Sequence, residues 1–189
     1  SEPGPADLKA FSDLLAEGAA LQAGKPETAR GTIFMPVRSG DTIFFPTPPV
    51  VRAWASAGGK KESEGPLAGA FDLLFPDASF QCGKWEKAES LLQQKCVARC
   101  LAAAGLDQDQ IDLAFAGDLQ AQCTASNYTM RALGAPYAGL YGACSTMAEG
   151  LALAACMAAA GYAGQALAFT SSHFCAAERQ FRTPLDYGG

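Results

Sequence analysis

Gly139-Leu140-Tyr141-Gly142-Ala143-Cys144-Ser145-Thr146-Met147-Ala148-Glu149-Gly150 spells a strand, a tight turn and a helix in succession. An extended run from Tyr137 to Tyr141 ends at a glycine, a cysteine follows two residues later, and a helix predicted over Ser145 to Ala160 starts at once. Cys144 therefore belongs on a turn at a helix N-terminus. Free backbone N–H groups and the positive end of the helix dipole favour thiolate over thiol there, and the same groups can hold an oxyanion. The bland alternative is one more small buried residue, since cysteine packs as a small hydrophobe. Ser145 is the other candidate nucleophile, although a serine here more naturally caps the helix. The helix carries Ala148, Ala152, Ala154, Ala155, Ala158, Ala159 and Ala160 and is apolar nearly all round, the pattern of a buried central helix.

Working outward, Ala166 to Thr170 reads as a strand after a Gly-rich turn, and Ile111 to Ala116 as a buried strand ending in Gly117-Asp118. Ser126 to Leu133 is predicted as a helix capped by Ser126. Glu86 to Ala104 is predicted as a long helix with Gly105 at its C-terminus, where positive φ is wanted. Its apolar positions Ala88, Leu92, Cys96 and Cys100 stand four apart, with Val97 and Leu101 beside them, so Cys96 and Cys100 are assigned to core packing and no chemistry. Upstream, Thr42 to Phe45 reads as an edge strand limited by Pro46, Pro48 and Pro49. Gly58 to Pro66 reads as a surface loop, and Asp7 to Ala23 as an acidic amphipathic helix. Strands alternating with helices indicate an α/β fold with a largely parallel sheet packed on the central helix.

Asp118, Gln120 and Gln122 follow the carboxyl end of a predicted strand, the edge at which open α/β sheets bind ligands. Asn127 begins the next helix. Amide donors and helix N-terminal N–H groups suit a small dianion, whereas a carboxylate at Asp118 meets one only through calcium or water. The alternative is a solvated loop with an ordinary turn aspartate.

The 189 residues are 49% hydrophobic and 17% charged, enough apolar material for a core in one domain with an appendage. Lys plus Arg is 14 and Asp plus Glu is 19, giving a charge of −5 and no basic cluster to replace phosphate counterions, so nucleic acid is excluded as a partner. Seven cysteines, one histidine and no C-x-x-C pair argue against a zinc site or a disulfide framework and fit a reducing compartment. Ser1-Glu2-Pro3-Gly4-Pro5 has no secretory pattern, and a cytosolic location is expected. The longest apolar tract, Gly150 to Gly164, falls short of the ~20 residues that span a bilayer.

Several ordered motifs carry a resemblance. Gly142-Ala143-Cys144-Ser145-Thr146-Met147-Ala148-Glu149, Ala116-Gly117-Asp118-Leu119, Thr170-Ser171-Ser172-His173, and Glu178-Arg179-Gln180-Phe181-Arg182 to Tyr187-Gly188 resemble the stage V sporulation protein AD family. Gly65-Pro66-Leu67 and Trp85-Glu86-Lys87-Ala88-Glu89 match it upstream. The resemblance implies the thiolase-like fold of the ketoacyl synthases, with residues 41–189 forming its first half only. Residues 1–40 are expected to be an N-terminal extension, and Met35 before Pro36 is a candidate natural start.

It further implies a non-enzymatic protein that binds dipicolinic acid or its calcium chelate, with no resident cofactor. That function would serve dipicolinate uptake into the developing spore, together with the other stage V sporulation A membrane proteins. The expected location is peripheral, on the cytoplasmic face of the spore or forespore inner membrane, and a homodimer is expected. The pocket would surround Cys144, with Ser145, Asp118, Gln120, Gln122, Asn127 and His173 as ligand-binding candidates. The rival expectation is an acyltransferase of the condensing type with Cys144 as nucleophile, for which His173 is the sole histidine partner.

Overall fold

The computed structural model describes residues 36–77, 79–121, 123–173 and 176–177. The helix expected over Asp7 to Ala23, Gln122 and the motif from Glu178 to Gly188 lie outside the described residues. Seven strands and four α-helices are assigned within them, in the order β1 (Val37–Ser39), β2 (Thr42–Phe44), β3 (Ala57–Gly58), α1 (Lys60–Ser63), β4 (Leu73–Leu74), α2 (Trp85–Ala104), β5 (Leu113–Gly117), α3 (Thr124–Leu133), β6 (Tyr137–Gly139), α4 (Thr146–Ala159) and β7 (Ala166–Thr170).

The centre is β5, five residues of which Ala114, Phe115, Ala116 and Gly117 are buried. It runs parallel to β6 on one side and β7 on the other, with Phe115 opposite Ala138 and Ala168. Strand alternation splits its side chains between two layers. Ala114 and its neighbour Leu167 join Val97 and Leu101 of α2, Ile111, and Met130 of α3 in the main hydrophobic cluster. Phe115 and Ala168 turn the other way, onto α4 at Gly150. The result is an α/β/α layering around a parallel sheet, the general class the alternating pattern predicts. The hairpin β1–β2 is antiparallel and exposed, as suits a strand followed by prolines.

Four local expectations change. The stretch from Gly58 to Pro66 is not all loop: Gly58 is buried in β3, which pairs in parallel with β4, and α1 follows with the Glu62 carboxylate accepting from the Gly59 N–H at 2.9 Å. The helix α3 begins at Thr124 rather than Ser126, with Cys123 at its N-cap in a left-handed conformation, φ 53°. Ser126 lies inside the first turn, buried, where its hydroxyl serves another partner.

In α2 the buried stripe runs through Glu89, Gln93, Val97 and Leu101, while Leu92, Cys96 and Cys100 are only half-buried. Gly105 does close this helix at φ 63°. Finally, α4 is not buried. Thr146 and Gly150 are its buried residues, and Met147, Leu151 and Leu153 are 40%, 46% and 38% exposed, because β5 and β7 cover one side of it only. An apolar helix face open in this way marks an association surface.

Candidate functional site

The carboxyl ends of β5 and β7 converge on a ring of buried polar side chains. Asp118, Gln120, Glu89, Gln93, Ser126 and Thr129 are each at most 3% exposed. Gln93, projecting from α2, is the hub. Its amide donates to Ser126 Oγ at 3.1 Å and to Ser171 Oγ at 2.7 Å, while its carbonyl oxygen accepts from the Thr129 hydroxyl at 2.6 Å. Each serine passes the bond on to a carboxylate: Ser126 Oγ donates to Asp118 Oδ2 at 2.7 Å, and Ser171 Oγ donates to Glu89 Oε1 at 2.6 Å.

Gln120 closes the ring, donating its side-chain amide to Glu89 Oε2 at 2.5 Å and its backbone N–H to Asp118 Oδ1 at 2.9 Å. The backbone N–H of Ser126 adds a second bond to Asp118 Oδ2 at 2.8 Å, and that of His173 another to Glu89. The donors of Ser126, Ser171, Gln120 and the His173 backbone thus converge on two buried carboxylates, and among the described residues no lysine or arginine makes an ion pair with either. Burial pushes the Glu89 carboxyl above its ordinary value of 4.5. The bonds from Ser171 and Gln120 pull the other way, and the Asp118 charge adds to the rise.

Gly117, between β5 and this ring, fixes where α4 can start. A methyl group there would fall 2.0 Å from the Leu140 carbonyl oxygen and 2.7 Å from the Thr146 side chain. The end of β5 is thus pressed against the turn that carries Cys144. That turn is a short 3-10 segment, Ala143–Ser145, running straight into α4, with Ala143 in the left-handed region at φ 49°. Cys144 is exposed on it. Ser145 does not cap the helix through its side chain; its hydroxyl donates to the Gly142 carbonyl at 2.8 Å, and Thr146 Oγ1 accepts from the Gly142 N–H at 3.2 Å.

The candidates thus divide. Asp118 and Gln120 belong to the ring, buried, and Asp118 is no solvated turn residue. His173 is 4% exposed and stacks on Trp85 with ring centroids 5.6 Å apart. Cys144 and Ser145 form the exposed rim. Asn127 is exposed one turn into α3, accepting from the Tyr137 hydroxyl at 3.1 Å. Burial, with lesser effects of Cys123 and Asp118, pushes that phenol up to about 12. Residue types alone do not single out Glu89, Gln93, Thr129, Ser171, or Ser90, whose hydroxyl and carbonyl each lie 3.1 Å from the Thr129 hydroxyl. The signal for Glu89 and Gln93 was their i, i+4 continuation of the Val97 and Leu101 stripe, masked by their polarity.

The model of the stage V sporulation protein AD family matches residues 39–189. The chain belongs to that family. It is also 41% identical over 155 residues to stage V sporulation protein AD of Bacillus subtilis (strain 168), an alignment covering 82% of this chain and 46% of that protein. This chain therefore spans less than half the length of that relative. In this family member no described helix is long and apolar enough to cross a membrane.

Burial also ranks the thiols of this stage V sporulation protein AD relative. It raises the pKa of Cys96, Cys100 and Cys123, with Cys123 further engaged in donating to the Leu140 carbonyl at 3.0 Å, whereas Cys144 stands in solvent. Brief alkylation followed by peptide mapping is expected to label Cys144 before these three, with Cys123 last. Labelling of Cys96 or Cys100 ahead of Cys144 would show that the turn is not exposed.

Proposed function

We propose that this chain is the first half of a thiolase-like protein that binds dipicolinic acid, free or as its calcium chelate, and supports its uptake into the developing spore. The observation that carries the reading is the strand-edge geometry. An exposed turn with backbone N–H groups at the start of α4 abuts Gly117 and a rigid polar ring at the carboxyl ends of β5 and β7. A small dicarboxylate suits such N–H groups. Asp118 and Gln120 already spend their side chains inside the ring, so they shape the edge, and Cys144 and Ser145 are the exposed side chains that line it, the Ser145 hydroxyl donating to the Gly142 carbonyl.

Among the described residues no three His, Cys, Asp or Glu side chains gather to hold a metal ion. Calcium is expected to arrive with the ligand, as its chelate. The net charge of −5 repels a free dianion at long range, which favours the neutral chelate. The open face of α4 would be covered by the second half and its homodimer mate. The other stage V sporulation A membrane proteins would hold the assembly peripherally at the forespore inner membrane.

The exposure of Cys144 at a helix start supports a second reading, acyl transfer from a carrier thioester. Calorimetric titration of a full-length protein containing this chain with pyridine-2,6-dicarboxylate, with and without calcium, separates the two when run beside a thiol-release assay on acyl-CoA. Heat from dipicolinate without thiol release is expected. Thiol release abolished by Cys144→Ala, with no heat from dipicolinate, would replace the binding reading by the acyltransferase.

A further inference from the structure

We propose that Glu89 is a proton-operated latch on this edge, ionised when it ties the Asp118–Gln120 loop to the Ser171–His173 loop and protonated when the two loops part. The latch needs no ligand; only its consequence for dipicolinate rests on the proposed function. Its basis is the polarity of the ring. Glu89 accepts from Ser171 on one oxygen, from Gln120 on the other, and from the His173 N–H, so three donors from two strand-end loops meet on one carboxylate.

A proton taken from solvent turns one of those oxygens into a donor, and each of its neighbours is already a donor. Rotation of the Ser171 hydroxyl finds no other acceptor within the ring. Its other partner is the Gln93 amide nitrogen, and Gln93 presents its carbonyl to Ser171 only by flipping and abandoning Thr129. On protonation the Ser171 hydroxyl either turns its hydrogen out to solvent, which its half-buried position allows, or loses the carboxylate, and either change gives up a donation that ties the two loops.

The charged group facing Glu89 across the ring is Asp118. The α3 side offers only the Ser126 and Thr129 hydroxyls, and the β7 side offers Ser171 and His173, whose ring lies on Trp85. The raised pKa places the proton uptake above pH 4.5. Because the native value exceeds the unfolded one, the native state holds an extra proton between the two, and stability falls as pH rises from about 4.5 toward the native value. The tied edge is thus maintained at a cost in stability.

Trp85 reports the event, since it sits on His173. Of the two tryptophans the other is the exposed Trp54, so a Trp54→Phe background leaves Trp85 alone. In this background a reversible change of emission with its midpoint above pH 4.5 is expected. Glu89→Gln should abolish it. Ser171→Ala, which removes a bond that favours the ionised form, should move it to higher pH and keeps the test open if Glu89→Gln does not fold. A transition that survives Glu89→Gln, or one that Ser171→Ala leaves in place, overturns the latch. Dipicolinate titrations on either side of the midpoint complete the test. Weaker binding below it is expected, whereas a Glu89-dependent transition without binding at any pH would keep the latch and discard the ligand.

Discussion

Gly117→Ala is expected to destroy the native arrangement of the β5 edge, at a cost of more than about 4 kcal/mol or as insoluble protein. The added methyl would meet the Leu140 carbonyl oxygen at 2.0 Å, and that atom is backbone, one residue beyond β6. Leu140 donates its N–H to Ala116 at 2.8 Å and its carbonyl accepts from Cys123, so neither side can retreat without breaking the register of β6 or the cap of α3. Gly150→Ala supplies the contrast. Its methyl would touch the Ala168 side chain at 3.4 Å, ordinary packing, and alanine is the better helix former by about 1 kcal/mol. Urea unfolding of both variants measures the difference; a Gly117→Ala protein as stable as the parent would mean that β5 and the Cys144 turn are not in contact.

Gln93→Leu is expected to cost about 3–5 kcal/mol although it introduces a hydrophobic residue of similar size into a buried position. The leucine takes the 2.6 Å acceptor from the Thr129 hydroxyl, leaving it the longer bond to the Ser90 carbonyl at 3.1 Å, and removes the donor that Ser126 and Ser171 both accept from. Unsatisfied buried groups each cost about 1–3 kcal/mol, and the loss propagates because the ring is closed. Gln94→Leu, one position along α2 and half-buried with a single bond to Ser90, should cost about 1 kcal/mol or less. A lower urea midpoint with unchanged denaturant slope is the expected signature for Gln93→Leu. Equal effects at both positions would contradict the hub assignment.

What the chain concedes to a sequence reader follows from which physical signals leave a trace in residue type. The strand Leu113–Gly117 and the helix Trp85–Ala104 were legible because burial on two faces, four-residue spacing and a glycine terminator are all written in side-chain chemistry. The start of α3 was not. Ser126 looks the same as a cap and as an interior residue whose hydroxyl is pledged to Asp118, and nothing in the type of Cys123 announces a left-handed φ.

Asp118 likewise resembles any turn aspartate until the Ser126 and Gln120 donors are brought to it by the fold. Glu89 and Gln93 lay in the right stripe of α2 but carry the polarity of a solvent face. Buried polar rings are assembled by tertiary contact, and no local pattern encodes them. For α4 the residue types were read correctly as apolar. They state that the helix is to be covered, without stating which chain covers it.

We propose that the carboxyl edge of β5 and β7, beside the Cys144 turn, binds a small dicarboxylate. Amide chemical-shift mapping of isotopically labelled full-length protein during titration with pyridine-2,6-dicarboxylate, with and without calcium, tests it most directly. Saturable shifts concentrated at Ala143 to Thr146 and Gly117 to Gln120, with none at the β1–β2 hairpin, are expected. Shifts centred elsewhere, or none at saturating dipicolinate, would contradict it.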